Sequence, residues 1–262
     1  MRIGQRVLRQ LLQVLIAVLA VGVLSPKADA QKKPKKKRKN SSGINILPGE
    51  QFTPTRTFAF GTAGSYFFPI RAGAHWTLRT IQALYNDSAK IVRADTVYNR
   101  QTVVDSARFS IQGLPLLVCR DYSYRSGATD TLKSESYYYV DDSIAMTVFN
   151  NSIAHRQNRI FLVAPIEIGN HWHDQYDDTT VTMIVGYTDS VVTPAGKFDS
   201  VLITLTKREY SDLRKFFAPR TGIVKTVFRT VGPGGHGLVV ITMEMIEIDR
   251  SGEHSELYIK KD

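Results

Sequence analysis

Cysteine is nearly absent from this 262-residue chain: Cys119 is the single one, so no internal disulfide can brace the fold. A domain without that framework has to stand on its apolar core. Cys119 ends the apolar strand run Leu116-Leu117-Val118-Cys119 and reads as a buried, inert thiol. Charge of one sign is missing where it would matter. The formal net charge is +10, yet residues 1–40 hold 11 of the 34 Lys and Arg and 1 of the 24 acids. From Ser41 onward 23 bases (34 − 11) meet 23 acids (24 − 1), so that stretch is neutral. A nucleic-acid-binding domain carries a basic face of its own, and no nucleic-acid partner is expected. Helical periodicity is missing as well between Trp76 and Val163.

The signatures of common chemistries are absent too. There is no Gly-x-Ser-x-Gly elbow for a nucleophilic serine. Gly232-Pro233-Gly234-Gly235-His236-Gly237 is rich enough in glycine for a phosphate loop, but it lacks the Lys-Ser/Thr pair and a strand follows it. It reads as a hairpin loop. Glycoside cleavage needs two facing carboxylates, and among 23 acids some such pair always exists, so their presence argues nothing.

What is present begins with an export signal. Arg2, Arg6 and Arg9 precede an apolar run from Leu11 to Leu24, and Ala28-Asp29-Ala30 fits a small-x-small cleavage site, giving a signal peptide over 1–30. The run is short of the roughly 20 residues of a spanning helix. No cysteine stands at the cleavage site, which excludes the lipid-anchored form of such a signal. Next comes a basic arm, Lys32, Lys33, Lys35, Lys36, Lys37, Arg38 and Lys39, within a polar arm and linker over 31–56. Its letters match a nuclear localisation signal, a reading that an export leader overrides. Such a run of like charge stays disordered. It is suited to anionic envelope lipid or polysaccharide, or serves as a solvated spacer. So much positive charge after the apolar run opposes the usual membrane asymmetry and leaves an uncleaved anchor as the alternative.

The two tryptophans sit in two copies of one phrase. Pro69-Ile70-Arg71-Ala72-Gly73-Ala74-His75-Trp76 returns as Pro165-Ile166-Glu167-Ile168-Gly169-Asn170-His171-Trp172, at an offset of 96 (172 − 76). Proline presets a turn, glycine supplies an unusual dihedral and Trp starts a strand. Pro69, Gly73 and Trp76, and Pro165, Gly169 and Trp172, are thus predicted as the structural corners of two related halves, about 62–158 and 159–250. Between and after them, short runs rich in Val, Ile, Thr and Tyr alternate with turn residues, the pattern of an antiparallel meander. Ala89 to Tyr98 and Thr102 to Ile111 read as two separate strands, and Thr57 to Phe68 as an edge strand and turn. The predicted fold is all-β, a single domain over 57–260 whose meander forms a curved sheet, half-barrel or sandwich.

Val192-Thr193-Pro194-Ala195-Gly196-Lys197-Phe198-Asp199 resembles the Val-x-Val-Pro-Ala-Gly-x-Phe-Asp segment of a group of uncharacterised secreted bacterial β-proteins. Members often carry Pro-Leu-x-x-Gly-x-x-Trp twice, and an Ala-Pro-Gly-x-Gly-x-Val-Lys segment. Phe217 to Lys225 is similar to the latter, with Arg220 in place of a glycine. The resemblance implies an exported all-β domain and a curved sheet like that of periplasmic lipoprotein carriers. It brings no activity. Pro194-Ala195-Gly196 by itself reads as a type II turn.

Two candidate chemistries remain. In a strand His171 and His173 share a face, which makes them possible metal ligands with a hydrolase as the alternative function. The first copy has Thr77 where the second has His173, so the pair is not part of the repeated design. Asp followed by Ser or Thr and an apolar residue recurs, as at Asp87, Asp95, Asp105, Asp130, Asp142, Asp189 and Asp199. Turn closure by the aspartate explains the triplet, and a resemblance to an O-glycan acceptor motif is the sharper reading. The expected function is that of an exported, non-enzymatic envelope protein in the periplasm, at the outer-membrane surface or secreted. It would be a carrier of an apolar or glycan ligand or a structural module, without a cofactor.

Overall fold

The computed structural model describes residues 61–66, 73–111, 114–125, 131–149, 158–174 and 177–250. The leader, the basic arm, Pro69 and the last residues of the predicted domain lie outside them. Twelve strands form one antiparallel sheet: β1 (His75–Tyr85), β2 (Ile91–Ile111), β3 (Leu114–Tyr124), β4 (Thr131–Val140), β5 (Ile144–Val148) and β6 (Arg159–Val163), then β7 (His171–Asp174), β8 (Asp177–Thr193), β9 (Gly196–Arg208), β10 (Ser211–Ala218), β11 (Gly222–Val231) and β12 (Leu238–Asp249). Their order is β6-β5-β4-β3-β2-β1-β12-β11-β10-β9-β8-β7. Each half is therefore the same six-stranded meander, and the first strand of one is stitched to the last strand of the other.

The sheet curves until its ends approach. Lys215 on β10 lies 4.8 Å from the ring centroid of Phe161 on β6, a contact that spans the concave side. Both edge strands are short, five residues in β6 and four in β7, which leaves little free backbone for pairing with another chain.

Register assigns the concave face. Trp76 pairs with Thr102 and Ile248, Trp172 with Thr182, and Tyr138 with Leu117. At the end of the sheet where the corners sit, this face is filled. Trp76, Val104, Cys119, Leu162, Trp172, Ile184, Leu202, Phe217 and Met245 belong to one buried cluster. Burying a side chain such as Phe217 contributes roughly 1.5–3 kcal/mol.

The strand readings need three amendments. The runs read as Ala89–Tyr98 and Thr102–Ile111 form one strand, β2, from Ile91 on, with Ala89 in the preceding turn, because register shifts opposite Thr80/Ile81 and beyond Val104 break the alternation without ending the pairing. Residues 63–66 form a 3₁₀ turn rather than a strand, with Ala63 and Tyr66 fully buried in the core cluster. Its Ala63 amide donates to the Asp142 carbonyl, and its Ser65 carbonyl accepts from the Arg220 amide. It thereby bridges the β4–β5 and β10–β11 turns, which are equivalent positions in the two halves. Finally, the positive φ of the β8–β9 turn falls on Gly196 (127°) and not on Ala195, so the turn is not type II.

Candidate functional site

Both corners are built from one backbone device. The Gly73 amide donates to the Val104 carbonyl (2.8 Å) and the Val104 amide to the Ala74 carbonyl (2.8 Å). The Gly169 amide donates to the Ile184 carbonyl (2.8 Å) and the Ile184 amide to the Asn170 carbonyl (2.9 Å). Trp76 and Trp172 are each 7 % exposed. Pro165 opens its corner, and the Asn170 side-chain amide donates to the Val163 and Pro165 carbonyls at 2.8 and 2.7 Å.

The repeated histidines part company. His75, on a strand flanked on both sides, is buried with Asp249 at 3.9 Å and Glu247 at 4.0 Å. His171, on the edge strand, is exposed, with its Nδ1 3.3 Å from the Gly169 carbonyl. His173 is exposed on the same convex face, the two pairing with Met183 and Val181. Among the described residues no group of three or more His, Cys, Asp or Glu is placed to hold a metal ion.

Away from the corners the concave face carries a polar cluster around Asp121. Arg100 Nη2 lies 2.6 Å from Asp121 Oδ2, and that carboxylate also accepts from Thr102 (2.6 Å) and Ser136 (2.7 Å). Asp121 is 2 % exposed, whereas 37 % of the Arg100 side chain is accessible. Desolvation pulls the guanidinium pKa down. The facing Asp121, helped by Tyr138 and Tyr98, outweighs it and holds the Arg100 pKa above its ordinary value. Burial likewise pushes the Tyr138 phenol up. The second half carries its arginine across the matching cross-strand position: Arg208 Nε donates to Thr180 Oγ1 at 3.2 Å, and Thr182 and Thr206 hydroxyls meet at 2.6 Å. Thr204 and Thr226, on either side of Lys215, are buried with hydroxyls that have no partner among the described residues. Register places Leu213, Phe228, Ile241 and Met243 on the same face, so this part of the concavity mixes hydroxyls and charge with apolar side chains.

A cleft of about 500 Å³ opens at the corner end. The 3₁₀ turn supplies Ser65 and Tyr66, the β8–β9 hairpin Lys197 to Ser200, the β10–β11 turn Ala218 to Thr221, and the end of β12 Arg250. Both segments that resemble the secreted β-protein group thus meet at one place. Arg250 Nη2 donates to Thr221 Oγ1 at 2.9 Å, and Lys197 Nζ lies 2.9 Å from Asp199. Tyr66 is wholly buried, its hydroxyl lacks a partner among the described residues, and burial, aided by Tyr187, pushes its pKa up. Sequence reading missed Tyr66 and Arg250 because nothing local marks them. The departure at Arg220 was the one visible signal.

Four of the seven Asp-Ser/Thr triplets, those at Asp95, Asp105, Asp189 and Asp199, lie inside strands and close no turn. At two others the preceding residue closes the turn. Asn86 Oδ1 accepts from the Ser88 and Lys90 amides, and Asp141 Oδ1 accepts from the Ser143 and Ile144 amides. Asp87 instead accepts from the Gly237 amide of the β11–β12 loop at 2.6 Å.

No family model matches the chain, and no curated protein does. Among solved structures, the chain is similar to a protein described as exported, with a YmcC-like fold, from Bacteroides fragilis NCTC 9343. The identity is 14 %, the match covers 71 % of this chain and 99 % of the other, and the TM-score is 0.43. A protein described as a lipoprotein from Parabacteroides distasonis ATCC 8503 is similar at 12 % identity over 71 % of this chain and 99 % of the other, with a TM-score of 0.41.

Proposed function

We propose that this is an exported, non-enzymatic protein of the cell envelope that acts by binding a polar ligand at the corner end of its sheet. The leader over 1–30 and the resemblance to secreted β-proteins support export. The observation that carries the binding reading is the cleft at the corner end, where Lys197, Arg220 and Arg250 meet the single carboxylate of Asp199. Behind it the concave face is packed by residues such as Leu162, Ile184 and Phe217, and farther along that face Thr204, Thr226 and the Arg100–Asp121 pair alternate with Leu213, Phe228, Ile241 and Met243. The basic arm, Lys32 to Lys39, would hold the protein near anionic lipid or polysaccharide.

Native mass spectrometry of the full protein taken from its own envelope tests the reading. A bound polar ligand without stoichiometric zinc is the expected spectrum. Co-purified lipid would restore the carrier of apolar cargo, and one zinc per chain would restore the hydrolase around His171 and His173.

A further inference from the structure

Two of the three described non-glycine residues with positive φ line the same cleft: Ser200 (57°) and Arg220 (54°). The left-handed region disfavours any residue with a Cβ, and glycine would sit there at less cost. An arginine held in that conformation, at the rim of a cleft, points from the outlier toward a use for its side chain. The charge around it is lopsided. Lys197, Arg220 and Arg250 face a single carboxylate, Asp199, which Lys197 already engages. Arg220 and Arg250 form no ion pair among the described residues, and Arg250 is steadied by Thr221. Guanidinium groups present a planar fork of donors that matches the oxygens of carboxylate and phosphate. The remaining lining adds the Ser65 and Ser200 hydroxyls and the wholly buried Tyr66, whose hydroxyl has no partner among the described residues. The cleft's roughly 500 Å³ exceeds what a bare anion fills and suits a small molecule.

We propose that this cleft binds an acidic sugar, a saccharide bearing a carboxylate or phosphate, with Arg220 and Arg250 clamping the anionic group. The inference rests on the binding function proposed above and names its ligand class. Arg220 would approach from the β10–β11 turn and Arg250 from the end of β12, so the anion would bridge two strands that are not adjacent to the 3₁₀ turn in sequence. The Ser200 hydroxyl would meet the sugar, while Thr221, whose hydroxyl donates to the Pro219 carbonyl and accepts from Arg250, steadies the clamp.

Isothermal titration of the full exported protein with a galacturonic acid trisaccharide, mannose 6-phosphate, inorganic phosphate and neutral mannose tests it. One of the two acidic sugars should bind, and which one tells carboxylate from phosphate. Neutral mannose should bind at least tenfold more weakly, and inorganic phosphate more weakly than the acidic sugar. Arg220→Gly should lose at least tenfold in affinity without any fall in melting temperature, because glycine relieves the left-handed backbone. Arg250→Gln should weaken binding in the same direction. Absence of binding by both acidic sugars, or equal binding by neutral mannose, overturns the ligand class. Undiminished binding by Arg220→Gly overturns the site. Either failure leaves the mass-spectrometric test of the broader function standing on its own result.

Discussion

Gly73 and Gly169 occupy one position in two copies of the same half-sheet. Each has a positive φ, 85° and 93°, and each donates its amide at 2.8 Å to the carbonyl two residues beyond the partner of its tryptophan. Those acceptors, Val104 and Ile184, sit on the second strand of each half. The hairpins between differ in length, because Trp76 meets a residue 26 positions on (102 − 76) and Trp172 one 10 positions on (182 − 172). The two corners share one geometry although their hairpins differ in length.

A Cβ on Gly169 would meet nothing within 4 Å, so Gly169→Ala isolates the backbone cost from any clash. Left-handed strain of about 1–2 kcal/mol is expected. For a domain of this size that lowers the melting temperature by roughly 2–8 °C. Thermal unfolding followed by circular dichroism reads it, and an unchanged midpoint would mean that the corner relaxes freely.

Asp121→Ala should destabilise through Arg100, whose charge would lose its carboxylate on the concave face. Breaking a buried pair costs about 3–5 kcal/mol. The effect here should be smaller than that range, since 37 % of the Arg100 side chain reaches solvent. Urea unfolding should show the double variant Asp121→Leu with Arg100→Met recovering most of the loss. A double variant as unstable as Asp121→Ala would assign the loss to packing instead.

The β4–β5 turn gives the sheet an acid-sensitive joint. Burial tends to raise the Asp141 pKa, but hydrogen bonds from Tyr139, Ser143 and Ile144 bring it below its ordinary 3.8. A carboxylate depressed in the folded state contributes stability that is complete above that value and is lost as pH falls through the folded pKa. The stability gap between the protein and Asp141→Ala should therefore be constant near neutrality and narrow only below about pH 4. A gap independent of pH down to acid unfolding would refute this linkage.

The basic arm predicts a salt effect. Binding of the full exported protein to vesicles containing anionic lipid should fall steeply between low and physiological ionic strength, as exposed charges are screened over about 8–10 Å. Removing residues 31–40 should abolish it without changing the melting temperature. Persistent binding by the shortened chain would reduce the arm to a spacer.

Much of this architecture was legible. Alternating Val, Thr and Tyr with polar punctuation announces strands, and the repeated Gly-x-His-Trp marks the starts of β1 and β7. What stayed hidden was non-local or irregular. Bulges in β2 scramble the alternation, so one strand of 21 residues reads as two. Ala63 to Tyr66 is apolar and aromatic like a strand, and only its docking between two distant turns makes it a 3₁₀ turn. Arg100 and Asp121 lie 21 residues apart on separate strands, and Arg250 reaches Thr221 across 29, so neither pair leaves a local pattern. The Asp-Ser/Thr triplet misled because strands carry it as readily as turns.

The account stands on two equivalent meanders joined at β1 and β12 into one sheet whose edges are β6 and β7. Native-state hydrogen exchange across the whole chain tests that most directly, since protection follows how deeply each strand is embedded. Amides of β1 and β12 should fall in the slowest class together, with β6 and β7 the fastest-exchanging strands at the two edges. Amides of β1 that face β12 exchanging as quickly as those of β6 would contradict the shared sheet.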